Sequence, residues 1–191
     1  MAARRRSGPT TWIVLLRAVN VGGRSLPMAD LRRLCEESGA TGVRTYIQSG
    51  NVVLRSPRDE ADLTADLAER IAAHAGFEVP VVARSLDELA AVVDGCPFDT
   101  TVDPTRLVVS FAAEDHRPTP LGDLDPDGFG DERLHLAGRD LYLWLPFGQG
   151  RSKLVQALGR TPFGRAATAR NWKTVLVLLD LARQVDGTAA S

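Results

Sequence analysis

The stretch VRTYIQSGNVVLRS, Val43–Ser56, sets two short apolar runs on either side of the small residues Ser49 and Gly50. Such residues permit the positive φ of a tight hairpin, so VRTYIQ and NVVLRS are expected to pair as antiparallel strands. Upstream, TWIVLLRAV (Thr11–Val19) is a dense, β-branched apolar run of strand length that stops at Gly22-Gly23. Between them SLPMADLRRLCEESG has a proline near its start, Met28, Leu31, Leu34 and Cys35 at helical spacing, and Gly39 as terminator. Downstream, DEADLTADLAERIAAHAG carries Leu63, Leu67, Ile71 and His74 along one helical face, and EVPVVARS (Glu78–Ser85) reads as a further strand. The order is β-α-β-β-α-β, the ferredoxin-like split unit with one antiparallel sheet and both helices on one face.

After the helical SLDELAAVVDG, closed by Gly95, the chain repeats this architecture without repeating the sequence. TRLVVSFAA (Thr105–Ala113) is a strand, and RPTPLGDLDPDGFGDE is rich in Pro, Gly and Asp and promises at most a helical turn. RLHLAGRDLYLWLPF is two alternating runs joined at Ala-Gly-Arg-Asp, a hairpin, and two helices follow in SKLVQALGR and ARNWKTVLVLLDLARQ. The expected class is α+β with two ferredoxin-like halves. A disordered basic N-terminus covers 1–10, the first half with its connecting helix 11–95, the second half with the C-terminal helices 96–186, and a flexible tail 187–191.

Composition narrows the function classes. The 191 residues are 44% hydrophobic, ordinary for a chain that builds a core, and 23 Lys plus Arg nearly cancel 24 Asp plus Glu. No global field therefore draws the protein toward nucleic acid or an anionic membrane, and anion binding must come from local geometry. Cys35 and Cys96 lie far apart without a Cys-x-x-Cys spacing, and His74, His116 and His135 form no metal-ligand pattern, so neither zinc nor a disulfide is expected. WIVLLRAV is too short for a signal core, and no window approaches ~18 uninterrupted apolar residues, which points to a reducing, cytoplasmic setting without a membrane partner.

Topology places the candidate site. In a split unit the first two strands run parallel with the third between them, so their C-terminal ends share one sheet edge. With strands about 4.8 Å apart, the polar loop RAVNVGGRS (Arg17–Ser25) and the hairpin QSGN (Gln48–Asn51) should lie roughly 10 Å from each other. Gly22 and Gly23 ahead of a helix can expose N–H groups to an anion, with Arg17 or Arg24 adding charge-assisted bonds; they can equally form a tight turn. Gln48, Ser49, Gly50 and Asn51 likewise suit a ligand or a plain hairpin. In PFGQGRSKL, Arg151 and Lys153 flank Ser152 at a helix start, where cations are disfavoured unless an anion stands before the dipole. In TARNWKTVL, Thr168 is a candidate N-cap, with Arg170, Asn171 and Lys173 in the first helical turns and Trp172 a core anchor.

These motifs together, LLRAVNVGGRSLPMADLRRLCEESGATGVRTYIQSGNVVL, PFGQGRSKL and TARNWKTVLVL, closely resemble the bacterial DUF1697 family, whose members carry R-G-I-N-V-G-G, Y-I-Q-S-G-N, S-K-L and T-x-R-N-W-x-T-V. The resemblance spans most of the chain and implies an α+β fold with ferredoxin-like halves; the family as a class has no established activity. Ala18 stands where the family has Gly, which suggests that the position needs no glycine conformation. Lys173 stands where it has Asn, adding a charge.

The leading functional expectation is binding, or transformation, of a phosphate- or carboxylate-bearing small molecule. Its site would join the 17–24 loop (Arg17, Asn20, Gly22, Gly23, Arg24), the 48–51 hairpin (Gln48, Ser49, Gly50, Asn51), Ser152 and Lys153, and the start of the last helix (Arg170, Asn171). The motifs hold no carboxylate pair, His or Cys, so Ser49 has only Lys153 or Lys173 as a candidate base; catalytic residues, a cofactor and the oligomeric state stay unassigned. The alternatives are a nucleic-acid module or a protein-interaction module on an open sheet face. The first is disfavoured, since RNA-binding sheets present aromatics on central strands and only Trp12 is offered here.

Overall fold

The computed structural model describes residues 8–101, 103–114, 121 and 124–187. The basic segment through Ser7 and the tail from Thr188 lie outside the described residues; Thr10 already belongs to the first strand and Gly187 to the last helix. The chain divides into two compact units, residues up to Ala90 with those from Leu178 onward, and Ala91–Val177.

The first unit follows the expected order: β1 (Thr10–Leu16), α1 (Met28–Glu37), β2 (Thr41–Tyr46), β3 (Asn51–Ser56), α2 (Glu60–Ala75) and β4 (Val81–Ser85). The sheet runs β2-β3-β1-β4 with every neighbouring pair antiparallel, so β1 and β2 are parallel with β3 between them. Alternation sorts β1 into two faces. Trp12, Val14 and Leu16 pack with Leu31, Leu34 and Cys35 of α1 and Leu63, Leu67 and Ile71 of α2. Each such side chain, fully buried, stabilises the fold by about 1.5–3 kcal/mol. Asp59 caps α2 by accepting from the Asp62 N–H, and Gly76 ends it in the left-handed conformation. His74 is not part of the buried stripe; it is exposed, 3.3 Å from the Asp30 carboxylate.

The opposite face is not open. Ile13, Leu15 and Val53 are fully buried, and the Thr11 hydroxyl donates to Asp186 of the last helix at 2.8 Å. The platform on which nucleic-acid or partner docking was framed is therefore already covered at β1 and β3. In sequence β4 is followed by α3 (Leu86–Asp94), opened by a reciprocal Ser85 and Glu88 capping box.

The second unit contains β5 (Leu107–Phe111), the hairpin β6 (Arg133–Ala137) and β7 (Asp140–Trp144), α4 (Lys153–Leu158), α5 (Pro162–Ala166), β8 (Thr168–Asn171) and the start of α6 (Trp172–Gly187). Its order β6-β7-β5-β8, again antiparallel throughout, reproduces the first sheet position for position. Val108, Leu141 and Leu143 pack against Leu154, Leu158 and Phe163 of the two short helices.

Two expectations need correction here. TARN is a strand, not the first turn of a helix: it pairs with β5 through Phe111↔Thr168 and Val109↔Arg170, and the helix begins at Trp172. The short α5 was not anticipated, although Thr161-Pro162 carries its signal, a Thr cap accepting from the Gly164 N–H and a proline at the first helical position. Of the Pro/Gly/Asp-rich segment, the described residues from Leu124 to Asp131 form turns.

Candidate functional site

At the C-terminal ends of β1 and β2 the two polar loops meet. The Asn20 side chain donates to the Gln48 carbonyl at 2.8 Å and to the Leu26 carbonyl at 3.0 Å, and accepts from the Leu26 N–H at 2.8 Å. One amide thus fixes both ends of its own loop and ties it to the hairpin. The Leu16 N–H donates to the Gly50 carbonyl at 2.8 Å, continuing the β1–β3 ladder into that hairpin. Asn51 is fully buried and donates to the Tyr46 carbonyl and the Ser49 hydroxyl, so it closes the turn from within. Gly50 has φ +70°, and a Cβ there would stand 2.6 Å from Val19 and 2.7 Å from Leu16. Asn20, Asn51 and Gly50 build the edge itself.

The glycine pair behaves differently. Arg24 N–H donates to the Val21 carbonyl at 3.1 Å across Gly22 (φ +58°) and Gly23 (φ +83°), the positive-φ pair of a two-residue primed turn. Added Cβ atoms at either glycine would meet nothing within 4 Å, and among the described residues neither N–H has an acceptor. Arg24 is exposed with its guanidinium 5.1 Å from the Phe77 ring centroid, and Arg17 is half-buried, its N–H donating to the Pro80 carbonyl. Gln48 is exposed and Ser49 half-buried, and the apolar Val21 and Ile47 beside them are exposed. Ala18 has φ +55°, which overturns the expectation that this position needs no glycine conformation: it lies in the region glycine favours and alanine occupies it under strain.

Ser152, Lys153, Arg170 and Asn171 belong to the second unit. Ser152 is the buried N-cap of α4, accepting from the Val155 N–H at 2.9 Å. The anion expected before this helix is supplied by the chain: the Glu132 carboxylate, 5% exposed, accepts from the Leu154 N–H at 2.9 Å and offsets the nearby Arg151 and Lys153. Glu132 was missed because its partner is 22 residues away and nothing local announces it. Asn171 caps α6 by accepting from the Thr174 N–H at 2.8 Å, a role that its residue type could have signalled. Arg170 is buried on β8, donating to the Thr168 hydroxyl and the Ala169 carbonyl at 2.8 Å, and burial lowers its pKa to about 10. Burial raises the Cys35 thiol to about 12, and Cys35 and Cys96 are both free. Among the described residues no group of three or more His, Cys, Asp or Glu is placed to hold a metal, and no helix is long and apolar enough to cross a membrane.

Comparison with solved structures finds a similar fold in the conserved bacterial protein SP0830 of Streptococcus pneumoniae, with a TM-score of 0.75 and 26% identity over 91% of this chain and 99% of that one. The curated proteins contain no match. The family model described as "Protein of unknown function (DUF1697)" matches residues 10–142, and the motif-bearing loop edge of the first unit falls within it. The chain belongs to the DUF1697 family.

Proposed function

We propose that the loop edge of the first unit binds a small anionic molecule, a phosphate or carboxylate compound, at the Gly22-Gly23 turn. The observation that carries this is the pair of consecutive glycine N–H groups without an acceptor among the described residues, held in a fixed turn between Arg17 and Arg24. Glycine keeps the turn bare of side chains, so an oxyanion can approach the main chain while an arginine contributes a charge-assisted bond. Asn20 sets the position of the turn, and the exposed Gln48 side chain and Ser49 stand across from it on the hairpin that Asn20 holds. Val21 and Ile47, both more than half exposed, give the ligand's apolar part a surface. No group in these loops suits general-base chemistry, so the reading is of binding and not catalysis.

Thermal unfolding of the full chain with inorganic pyrophosphate, citrate and nucleoside monophosphates tests it. A ligand at about 100-fold its dissociation constant stabilises the fold by about 2.7 kcal/mol. Arg24→Ala should abolish that shift while costing the unliganded protein no more than about 1 kcal/mol for the lost contact with Phe77. Absence of any saturable shift, or a shift that survives Arg24→Ala, counts against the proposal.

A further inference from the structure

A second site of different chemistry lies wholly within the second unit. A cavity of about 360 Å3 is lined by Phe129, Asp131, Glu132, Phe147, Arg151 and Lys153 together with Gly128 and Gly130. The volume is at the lower end of the ~300–1,000 Å3 range of small-molecule pockets. Glu132 is 5% exposed, and Oε2 accepts from Leu154; among the described residues no donor reaches Oε1. Oε1 is not fully enclosed, and it is the oxygen that can accept from a donor entering the cavity. Arg151 and Lys153 are exposed and have no carboxylate among the described residues within salt-bridge distance. Phe147 is 62% exposed, unusual for so large an apolar side chain, and Phe129 is half-buried.

Two cations and two carboxylates balance, so the lining favours a net-neutral molecule with separated charges over a bare anion. The Leu154 and Val155 N–H groups of α4 are already met by Glu132 and Ser152, so a ligand anion would draw mainly on the side chains of Arg151 and Lys153. The occupied Oε2 also favours one donor over another: a purine edge with two adjacent N–H groups engages both carboxylate oxygens, whereas an ammonium can pair with Oε1 alone and turn its other N–H groups to water. We propose that this cavity binds an α-amino acid with an aromatic or large aliphatic side chain, its ammonium on Glu132, its carboxylate on Arg151 and Lys153, and its side chain against Phe129 and Phe147.

Isothermal titration of the full chain with L-phenylalanine, L-leucine, 3-phenylpropionate, 2-phenylethylamine and guanosine 5′-monophosphate tests this. Phenylalanine or leucine should bind saturably, and each analogue lacking one charge should bind at least about tenfold more weakly. The double variant R151A/K153A changes exposed residues; it should bring phenylalanine down to the affinity of 2-phenylethylamine. Glu132→Gln keeps an acceptor for Leu154 and should weaken the ammonium-bearing ligands while sparing 3-phenylpropionate. Arg24→Ala should leave all of these unchanged, separating this site from the loop edge of the first unit. The proposal is overturned if no amino acid binds up to about 10 mM, where millimolar affinity would still register. Equal binding of 3-phenylpropionate, tighter binding of the nucleotide, or binding unaffected by R151A/K153A would also overturn it.

Discussion

The edge of the first sheet and the entry to α4 in the second are made of similar material, glycines, cations and small polar residues directly after a strand, and they resolve it in different ways. In the first unit side-chain amides serve the loops themselves: Asn20 makes three hydrogen bonds to main-chain groups, and Asn51 donates to the Tyr46 carbonyl and the Ser49 hydroxyl. In the second a carboxylate distant in sequence closes the helix start, and the cations beside it face a cavity. A polar loop must first satisfy its own backbone, and only what is left over is available to a ligand. At the first edge the remainder is Arg24 and two glycine N–H groups; at the second it is Glu132 Oε1, Arg151 and Lys153.

Asn20→Ala should break the contrast most strongly. It removes three hydrogen bonds and leaves a residue with φ +56° without the side chain that makes that conformation tolerable, a loss of about 3 kcal/mol in chemical denaturation. Next comes Gly50→Ala, at about 2–3 kcal/mol, since its methyl group would press on Val19 and Leu16. Gly22→Ala should cost only about 1 kcal/mol for backbone strain, because no atom waits there. Equal losses at the two glycines would erase the distinction between a glycine that builds the edge and one that keeps it bare. Smaller still, Ala18→Gly should stabilise the protein by about 0.5 kcal/mol, relief of left-handed strain outweighing the entropy of glycine.

The smallest effect is a pH response that belongs to neither region. A hydrogen bond from Arg70, with a second from Arg58, holds Asp66 below its usual value of 3.8. A depressed carboxylate contributes stability that is present above the unfolded pKa and lost as pH falls through the lower folded value. Stability should therefore decline below about pH 4 by only about 0.3 kcal/mol from this solvent-screened group, and Asp66→Asn should flatten that part of the curve. An unchanged acid limb in the variant would remove the assignment.

Most of the fold could be read from local pattern. Ser49-Gly50 between two apolar runs marked the β2–β3 hairpin, and parallel β1 and β2 brought the loops together as topology requires. The strand β8 was not legible, because four residues with one buried arginine carry no period, and a helix follows without a loop. The meeting of the two loops was legible, and what their side chains do there was not. Sequence marks Asn20 and Asn51 as polar, but only the folded structure reveals that they bond groups of the same two loops, main-chain groups for Asn20 and the Tyr46 carbonyl and Ser49 hydroxyl for Asn51. The Glu132 contact to Leu154 is a tertiary fact with no local signature.

The central claim is that the Gly22-Gly23 turn, and not the amides around it, is the part of the loop edge left for a ligand. Amide nuclear magnetic resonance of the 15N-labelled full chain, titrated with inorganic pyrophosphate, tests it most directly. The account predicts that the Gly22 and Gly23 signals move saturably with one dissociation constant, that the Asn20 and Asn51 side-chain amides stay where they are, and that Arg24→Ala removes the response. Pyrophosphate binding that leaves Gly22 and Gly23 unmoved, or no saturable binding of pyrophosphate, would contradict it.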